Sequence, residues 1–308
     1  MYPSSVAFLV MVVAAGATVV HGHPADSTPA AQFWRQALPG TPMPEAIADL
    51  VRKGIDHSPL VEHYPALPSL SVCTFANTIC PLSMVAGTGL FFHEAQLRPG
   101  STMTVSLPAE PEAAFLPLDV AGKVPFGDLG GVLATFGIPA GSAEAAQVRD
   151  TLRRCQAPPP AGELKSCTNS LEGTVQSALR MLGAGAGGVW AGTSVLPAGG
   201  GLPRQEYVVE AATRLDGEGY VACHRAPFPY AVYQCHMTPA GYWAYALSLR
   251  GGGGSPAATV LSYCHLDTSD WDPAHPAFEI LGSRPGGERV CHLIPHGNLV
   301  FIQKSTKA

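Results

Sequence analysis

The sequence predicts an α+β fold, strand-rich toward its C-terminus, and three observations carry that expectation. From Tyr207 onward, aromatic and β-branched runs dominate, as in Tyr230–Gln234, Ala258–Tyr263 and Leu299–Ile302, which read as strands. In the middle, two segments space their apolar residues at helical intervals. Between Cys223 and His292, four cysteines are each followed at once by a histidine: Cys223-His224, Cys235-His236, Cys264-His265 and Cys291-His292. Helices grouped before strands, rather than alternating with them, give the α+β class.

Taken in order, the chain opens with an apolar run from Val6 to Val20, shorter than the ~20 residues that a bilayer span needs. Val20 and Gly22 stand at −3 and −1 of a cut after Gly22, so residues 1–22 read as a secretory signal peptide, although no Lys or Arg precedes the run. Residues 23–89 read as a variable N-terminal segment, opening with a Pro/Ala/Ser-rich stretch expected to be flexible. Pro44 then starts a helix with Ala46, Ile47, Leu50 and Val51 on one face and Gly54 as its C-cap. Glu45 and Asp49 belong to its solvated side. The remainder up to Gly89 is rich in Pro, Ser and Thr and carries no repeat.

The domain proper is expected over residues 90–304. Met103 to Leu107 alternates like a strand, and Leu116 to Phe126 is apolar with Pro and Gly breaks. Ser142 caps a helix that turns Ala145, Val148 and Leu152 to the core. Asn169 or Ser170 caps a second, with Leu171, Val175, Ala178, Leu179 and Leu182 inward and Gly183 ending it. These helices flank Gln156–Cys167, so a Cys155–Cys167 bridge would staple a helix pair.

The four Cys-His dipeptides are separated by 10, 27 and 25 residues. With 11 His in the chain, chance would place four of the eight Cys before a His with a probability of roughly 10⁻⁴. Successive side chains on a strand point to opposite faces. A Cys-His pair there splits, thiol to one side and imidazole to the other. That speaks against a zinc ribbon, where paired thiolates turn toward one ion. It suits cysteines crosslinked on one face and histidines converging on the other. A hydrogen-bonded, purely structural role for the rings stays open beside a shared metal. Neutral imidazole suits Cu, Zn, Fe or Ni, and spacing does not choose among them. His224, His236, His265 and His292 are the candidate ligands; His275 and His296 sit close by, outside the dipeptides. An even count of eight Cys behind a signal peptide implies disulfides. Local spacing suggests Cys73 with Cys80 and Cys155 with Cys167, leaving Cys223, Cys235, Cys264 and Cys291 to pair among themselves.

Other function classes drop out. Charged residues are 13% and net charge is −5, with no basic patch for nucleic acid. Gly183–Gly192 lacks the strand–turn–helix setting and the lysine of a phosphate loop. Asp267, Asp270 and Asp272 lack the glycine and terminal glutamate of a calcium loop and read as a turn before Pro273. No serine-nucleophile elbow, HExxH or Asn-x-Ser/Thr sequence occurs.

The spacing of the pairs, the Pro229-Tyr230-Ala231-Val232 run before the second, and Thr268-Ser269-Asp270-Trp271 after the third resemble the plant BURP-domain family. Phe91-Phe92-His93-Glu94 with Leu97 and Pro99-Gly100 resembles the family's opening, and Phe33 to Pro39 its motif after the signal. The resemblance covers Leu90 to Gln303. It implies a secreted protein of the apoplast or cell wall, or a vacuolar one, in development or stress response. The implied role is non-enzymatic, at most like a polygalacturonase non-catalytic subunit, with cell-wall polysaccharide or polygalacturonase as partner and no membrane contact after signal cleavage. It also implies copper as the metal, with affinity falling below about pH 6 as imidazoles protonate. A subset of the family are copper-dependent autocatalytic peptide cyclases that couple Tyr or Trp side chains. Outside the domain, only Trp34 and Tyr64 of the mature chain offer such side chains.

Overall fold

The computed structural model describes residues 27–56, 82–107, 113–159, 162–197, 201–238, 241–252 and 257–305. The expected signal peptide, Tyr64, Cys73 and Cys80 lie outside the described residues.

Helix α1 (Pro29–Ala37) begins inside the stretch expected to be flexible. Thr28 caps it, its hydroxyl accepting from Ala31 N at 3.1 Å, and Pro29 is preset for the first turn. What holds the helix is tertiary. Trp34 and Leu38 are buried one turn apart, and the Trp34 indole donates to Thr41 O at 2.9 Å. A small-residue composition hides this, because two large anchors suffice to dock a short helix.

Helix α2 (Glu45–Asp56) buries Ala46, Ile47, Leu50 and Val51. Gly54 does not end it; the helix runs on to Asp56. The glycine is there for clearance. A Cβ at Gly54 would sit 1.7 Å from Phe115 O, where the chain crosses and Phe115 N donates to Leu50 O.

After α3 (Leu82–Ala86) the described strands form two antiparallel sheets. In chain order they are β1 (Phe91–His93), β2 (Thr102–Leu107), β3 (Leu164–Thr168), β4 (Val189–Gly192), β5 (Leu202–Arg214), β6 (Gly219–Ala226), β7 (Val232–Met237), β8 (Tyr242–Gly251), β9 (Ala258–His265), β10 (Val290–Ile294) and β11 (Leu299–Gln303). One sheet runs β1-β10-β9-β8-β5-β2 and the other β3-β7-β6-β11-β4.

The sheets face one another. Tyr220, Ala222, Val300 and Ile302 of the five-stranded sheet meet Tyr242, Ala244, Leu261, Tyr263 and Ile294 of the six-stranded one in a single buried cluster. The far side of the five-stranded sheet is covered by helices. There Val221, Tyr233 and Phe301 pack on Trp34, Leu50 and on Val175 of α7 (Leu171–Leu182). Beside them, α4 (Leu118–Ala121), α5 (Leu129–Phe136) and α6 (Ala143–Gln156) close over Phe228, Tyr230 and Val232. The six-stranded sheet curls, since Phe92 of one edge strand and Val105 of the other enter the same cluster. Strand-rich, with most helices over the five-stranded sheet and Val85, Ala277 and Phe278 of two short helices packed in the cluster of the six-stranded one, the fold is α+β.

Ser142 and Ser170 cap α6 and α7, and Gly183 ends α7 at φ 60°. Cys155 bonds to Cys167, but Cys167 lies in β3. The staple therefore joins α6 to an edge strand rather than helix to helix. Residues Leu164–Thr168 extend because β7 offers them an open hydrogen-bonding edge. Asp267 accepts from Ser269 N and Asp272 from Ala274 N, so both acids serve turns, and His275 caps α8 (Pro276–Leu281). Among the described residues, no helix is long and apolar enough to cross a membrane.

If the N-terminal helices belong to this core, two substitutions report it. Alanine at an exposed helical glycine gains about 1 kcal/mol. Gly54→Ala should instead lose on the order of 1–3 kcal/mol through the clash, and Trp34→Ala about 3–5 kcal/mol. Urea midpoints unchanged by both would show that α1 and α2 fold apart from the sheets.

Candidate metal centre

The site starts from two direct cross-strand pairings. On β6 and β7, Cys223 stands opposite Cys235, and their sulfurs are bonded. On β9 and β10, Cys264 stands opposite Cys291, also bonded. In both, the Cα atoms are 3.9 Å apart. The Cys223–Cys235 bridge faces the helices, and Cys264–Cys291 lies in the outer cluster of the curled sheet. Alternation then sends the neighbouring histidines to the other face of each sheet. Those two faces are the ones that meet.

Four imidazoles from four strands thus form a closed circuit. Ring centroids are 5.2 Å apart for His224–His236, 6.3 Å for His236–His265, 5.5 Å for His265–His292 and 5.4 Å for His224–His292. His224, His265 and His292 are buried, and the His236 side chain is 13% exposed. The Nε2 atoms of His224 and His236 lie 3.2 Å apart. Two ligands at about 2.0–2.1 Å from a tetrahedral ion are separated by roughly 3.3 Å, so this pair already stands at a chelating distance. Among the described residues, no three His, Cys, Asp or Glu side chains are yet closed around one point. Bringing the other two rings onto a shared ion takes rotation of their side chains.

Partners aim two of the rings. His236 Nδ1 is 2.7 Å from Glu163 Oε1, and His292 Nδ1 is 3.2 Å from Leu293 O. Each contact consumes Nδ1 and leaves Nε2 for the interior, the usual arrangement behind metal-bound imidazole. Tyr242 completes the corner. Its hydroxyl is 2.6 Å from Thr238 Oγ1 and 3.4 Å from both Glu163 Oε1 and His236 Nδ1, while its ring meets His265 edge-on at 4.6 Å. Trp271 covers His265 from another side, also at 4.6 Å.

The electrostatics follow from burial. Desolvation holds His224 and His265 well below the usual imidazole range, and the neighbouring histidines push the same way. Burial and His236 bring His292 down to about 4, against a small opposing effect of the Leu293 carbonyl. Burial alone would raise the Glu163 carboxyl; the hydrogen bond and electrostatic pull of His236, with Tyr242 and Lys165, outweigh it and hold the group low. Tyr242 is pushed up, first by burial and then by the Glu163 charge.

Of the two outlying histidines, His275 is committed elsewhere. Its Nδ1 accepts from Ala277 N at 3.2 Å as the cap of α8, and its ring packs on Trp271 at 4.5 Å. His296 sits half-buried in the turn after β10. Sequence reasoning passed over Glu163 and Tyr242. Only one signal pointed to Glu163: it is the acid in the short stretch that the Cys155–Cys167 staple brackets.

Comparison with known proteins gives the family. The sequence profile of the BURP domain matches residues 90–303. BURP domain-containing protein 13 of Oryza sativa subsp. japonica is 42% identical over 254 residues, 80% of this chain and 61% of that protein. Protein RAFTIN 1A of Triticum aestivum is 41% identical over 72% of this chain and 57% of its own length. Protein RAFTIN 1B of the same species is 34% identical over 96% and 97%. The chain thus spans less than two thirds of the first two relatives, whose extra length it does not match. A match through both sheets and all four Cys-His pairs, together with these relatives, makes this chain a member of the BURP-domain family.

Proposed function

We propose that this chain is an exported, non-enzymatic BURP-domain protein of the plant apoplast or cell wall, or of the vacuole, whose inter-sheet histidines bind one metal ion of the copper class. One observation carries the metal reading. Four imidazoles from two sheets converge in the interior, each next to a strand-bridging disulfide. Burying four rings costs free energy unless their nitrogens find partners, and a shared cation supplies them. His224, His236, His265 and His292 would hold the ion, with Glu163 and Leu293 O behind two of them. A bound copper ion would bring redox capacity to the site; this chain's contribution is a dry, aromatic surround. Export is supported by three buried or half-buried disulfides. The RAFTIN names of the wheat relatives add no chemistry.

The peptide-cyclase alternative loses ground on burial. Trp34, one of the two Tyr or Trp side chains of the mature chain outside the domain, is 1% exposed and anchors α1. It is not presented to any centre.

Titrating metal-free protein with Cu(II) should show tight binding of one ion. A variant with all four histidines changed to Ala should lose it, and undiminished copper there ends the ligand assignment. The same copper-loaded sample, left in air, should keep its mass. A loss of 2 Da within the N-terminal segment would instead establish self-cyclisation.

Stability should depend on pH in a defined direction. In the metal-free fold His292 titrates near 4 rather than 6.5, so the unfolded chain binds the extra proton first. The stabilisation is complete above 6.5 and is lost as pH falls toward 4, on the order of 3 kcal/mol from this ring alone. For the same reason metal should stay bound below the pH 6 expected for ordinary imidazoles. Denaturation midpoints that are flat between pH 7 and 4 would contradict the buried neutral state.

The wall assignment calls for retention of the protein on pectin or on purified polygalacturonase at physiological salt. Recovery no greater than on unrelated cellulose or albumin supports would remove it.

A further inference from the structure

We propose that Glu163 is the positioning residue of the imidazole centre, holding the His236 proton on Nδ1 so that its Nε2 lone pair faces His224. The inference deepens the metal reading but stands on contacts made without any ion. Glu163 Oε1 lies 2.7 Å from His236 Nδ1, and both side chains are largely buried, at 17% and 13% exposure. The carboxylate accepts and does not donate, so the atom facing it is the one that carries hydrogen. The opposite nitrogen lies 3.2 Å from His224 Nε2. One of those two atoms must supply a hydrogen, and with His236 protonated at Nδ1 the donor is His224.

The loop that carries Glu163 is clamped on both sides. Cys155–Cys167 ties the end of α6 to β3, and Lys165 Nζ donates to Arg154 O at 2.6 Å and also to Ala157 O. Lys165 stands directly across from His236 in the β3–β7 pairing. Its ammonium is drawn away to the helix end, which leaves Glu163 as the charged neighbour of the ring. Tyr242 donates to the same Oε1 at 3.4 Å, so the carboxylate is held from a second side. The staple between helix and strand therefore has a use beyond stability: it delivers a carboxylate to a ring in another strand. Carboxylates placed this way set the tautomer of ligating histidines, and their loss lowers metal affinity by about 10–100-fold.

The test uses the full chain, ¹⁵N-labelled and metal-free at pH 7. Long-range imidazole spectra should show His236 as the Nδ1–H tautomer and His224 as the Nε2–H tautomer. In Glu163→Leu, His236 should become a tautomer mixture, and Zn(II) affinity by chelator competition should drop about 10–100-fold. Glu163→Gln keeps an acceptor oxygen and should retain the wild-type tautomer. A wild-type His236 that is Nε2–H or doubly protonated overturns the proposal even if the Leu variant fails to fold. So does an unchanged His236 tautomer in a folded Leu variant. A wild-type protein that binds no Zn(II) or Cu(II) but shows these tautomers ends the metal reading and leaves the positioning role intact.

Discussion

The arrangement depends on register. In an antiparallel pair, residues directly opposite share a face, and a slip by one residue sends every side chain to the other side. A disulfide between opposite cysteines forbids that slip. Cys223–Cys235 and Cys264–Cys291 do this once in each sheet, and each closes a loop worth about 3–4 kcal/mol in chain entropy. Because the histidine follows the cysteine without a spacer, locking sulfur on one face locks imidazole on the other. The chemistry of the interior is thus set by covalent bonds that lie outside it.

The surrounding layers serve the same end. Helices α1, α2 and α7 cover the sulfur face of the five-stranded sheet, so Cys223 and Cys235 are fully buried. Tyr220, Tyr242 and Tyr263 fill the gap between sheets and keep water from the rings. A dry interior favours neutral imidazole, which both hydrogen bonding and metal ligation require. The Thr268-Ser269-Asp270-Trp271 stretch works locally. Its Thr268 hydroxyl accepts from Gly286 N, and its Trp271 seals His265.

Much of the fold was legible because local rules and tertiary packing agreed. Ser142, Ser170 and Gly183 are strong punctuation, and α6 and α7 lie where they mark them. Strands β7, β9 and β11 follow their β-branched and aromatic runs. The failures share one cause. The Pro/Ala/Ser-rich opening of the 23–89 segment reads as flexible by composition, yet a helix begins inside it at Pro29, because Trp34 and Leu38 find a sheet surface that the sequence does not display. Gly54 looks like a helix end, but its role is to let Phe115 pass at close range. Leu164–Thr168 has little strand character and pairs because an edge was vacant.

The sequence by itself determined which atoms could be separated. Cysteine beside histidine on an extended backbone must send sulfur and nitrogen to opposite sides, since the side-chain period of a strand is two. It left open which of Cys223, Cys235, Cys264 and Cys291 pair; the structure joins Cys223 to Cys235 and Cys264 to Cys291. Only the tertiary structure decided that the two imidazole faces are the ones that meet, that Trp34 closes the far side, and that Glu163 reaches His236 from 73 residues away. Those facts depend on how whole sheets and helices stack. Stacking is governed by the summed burial of surfaces, and no window of sequence contains that sum.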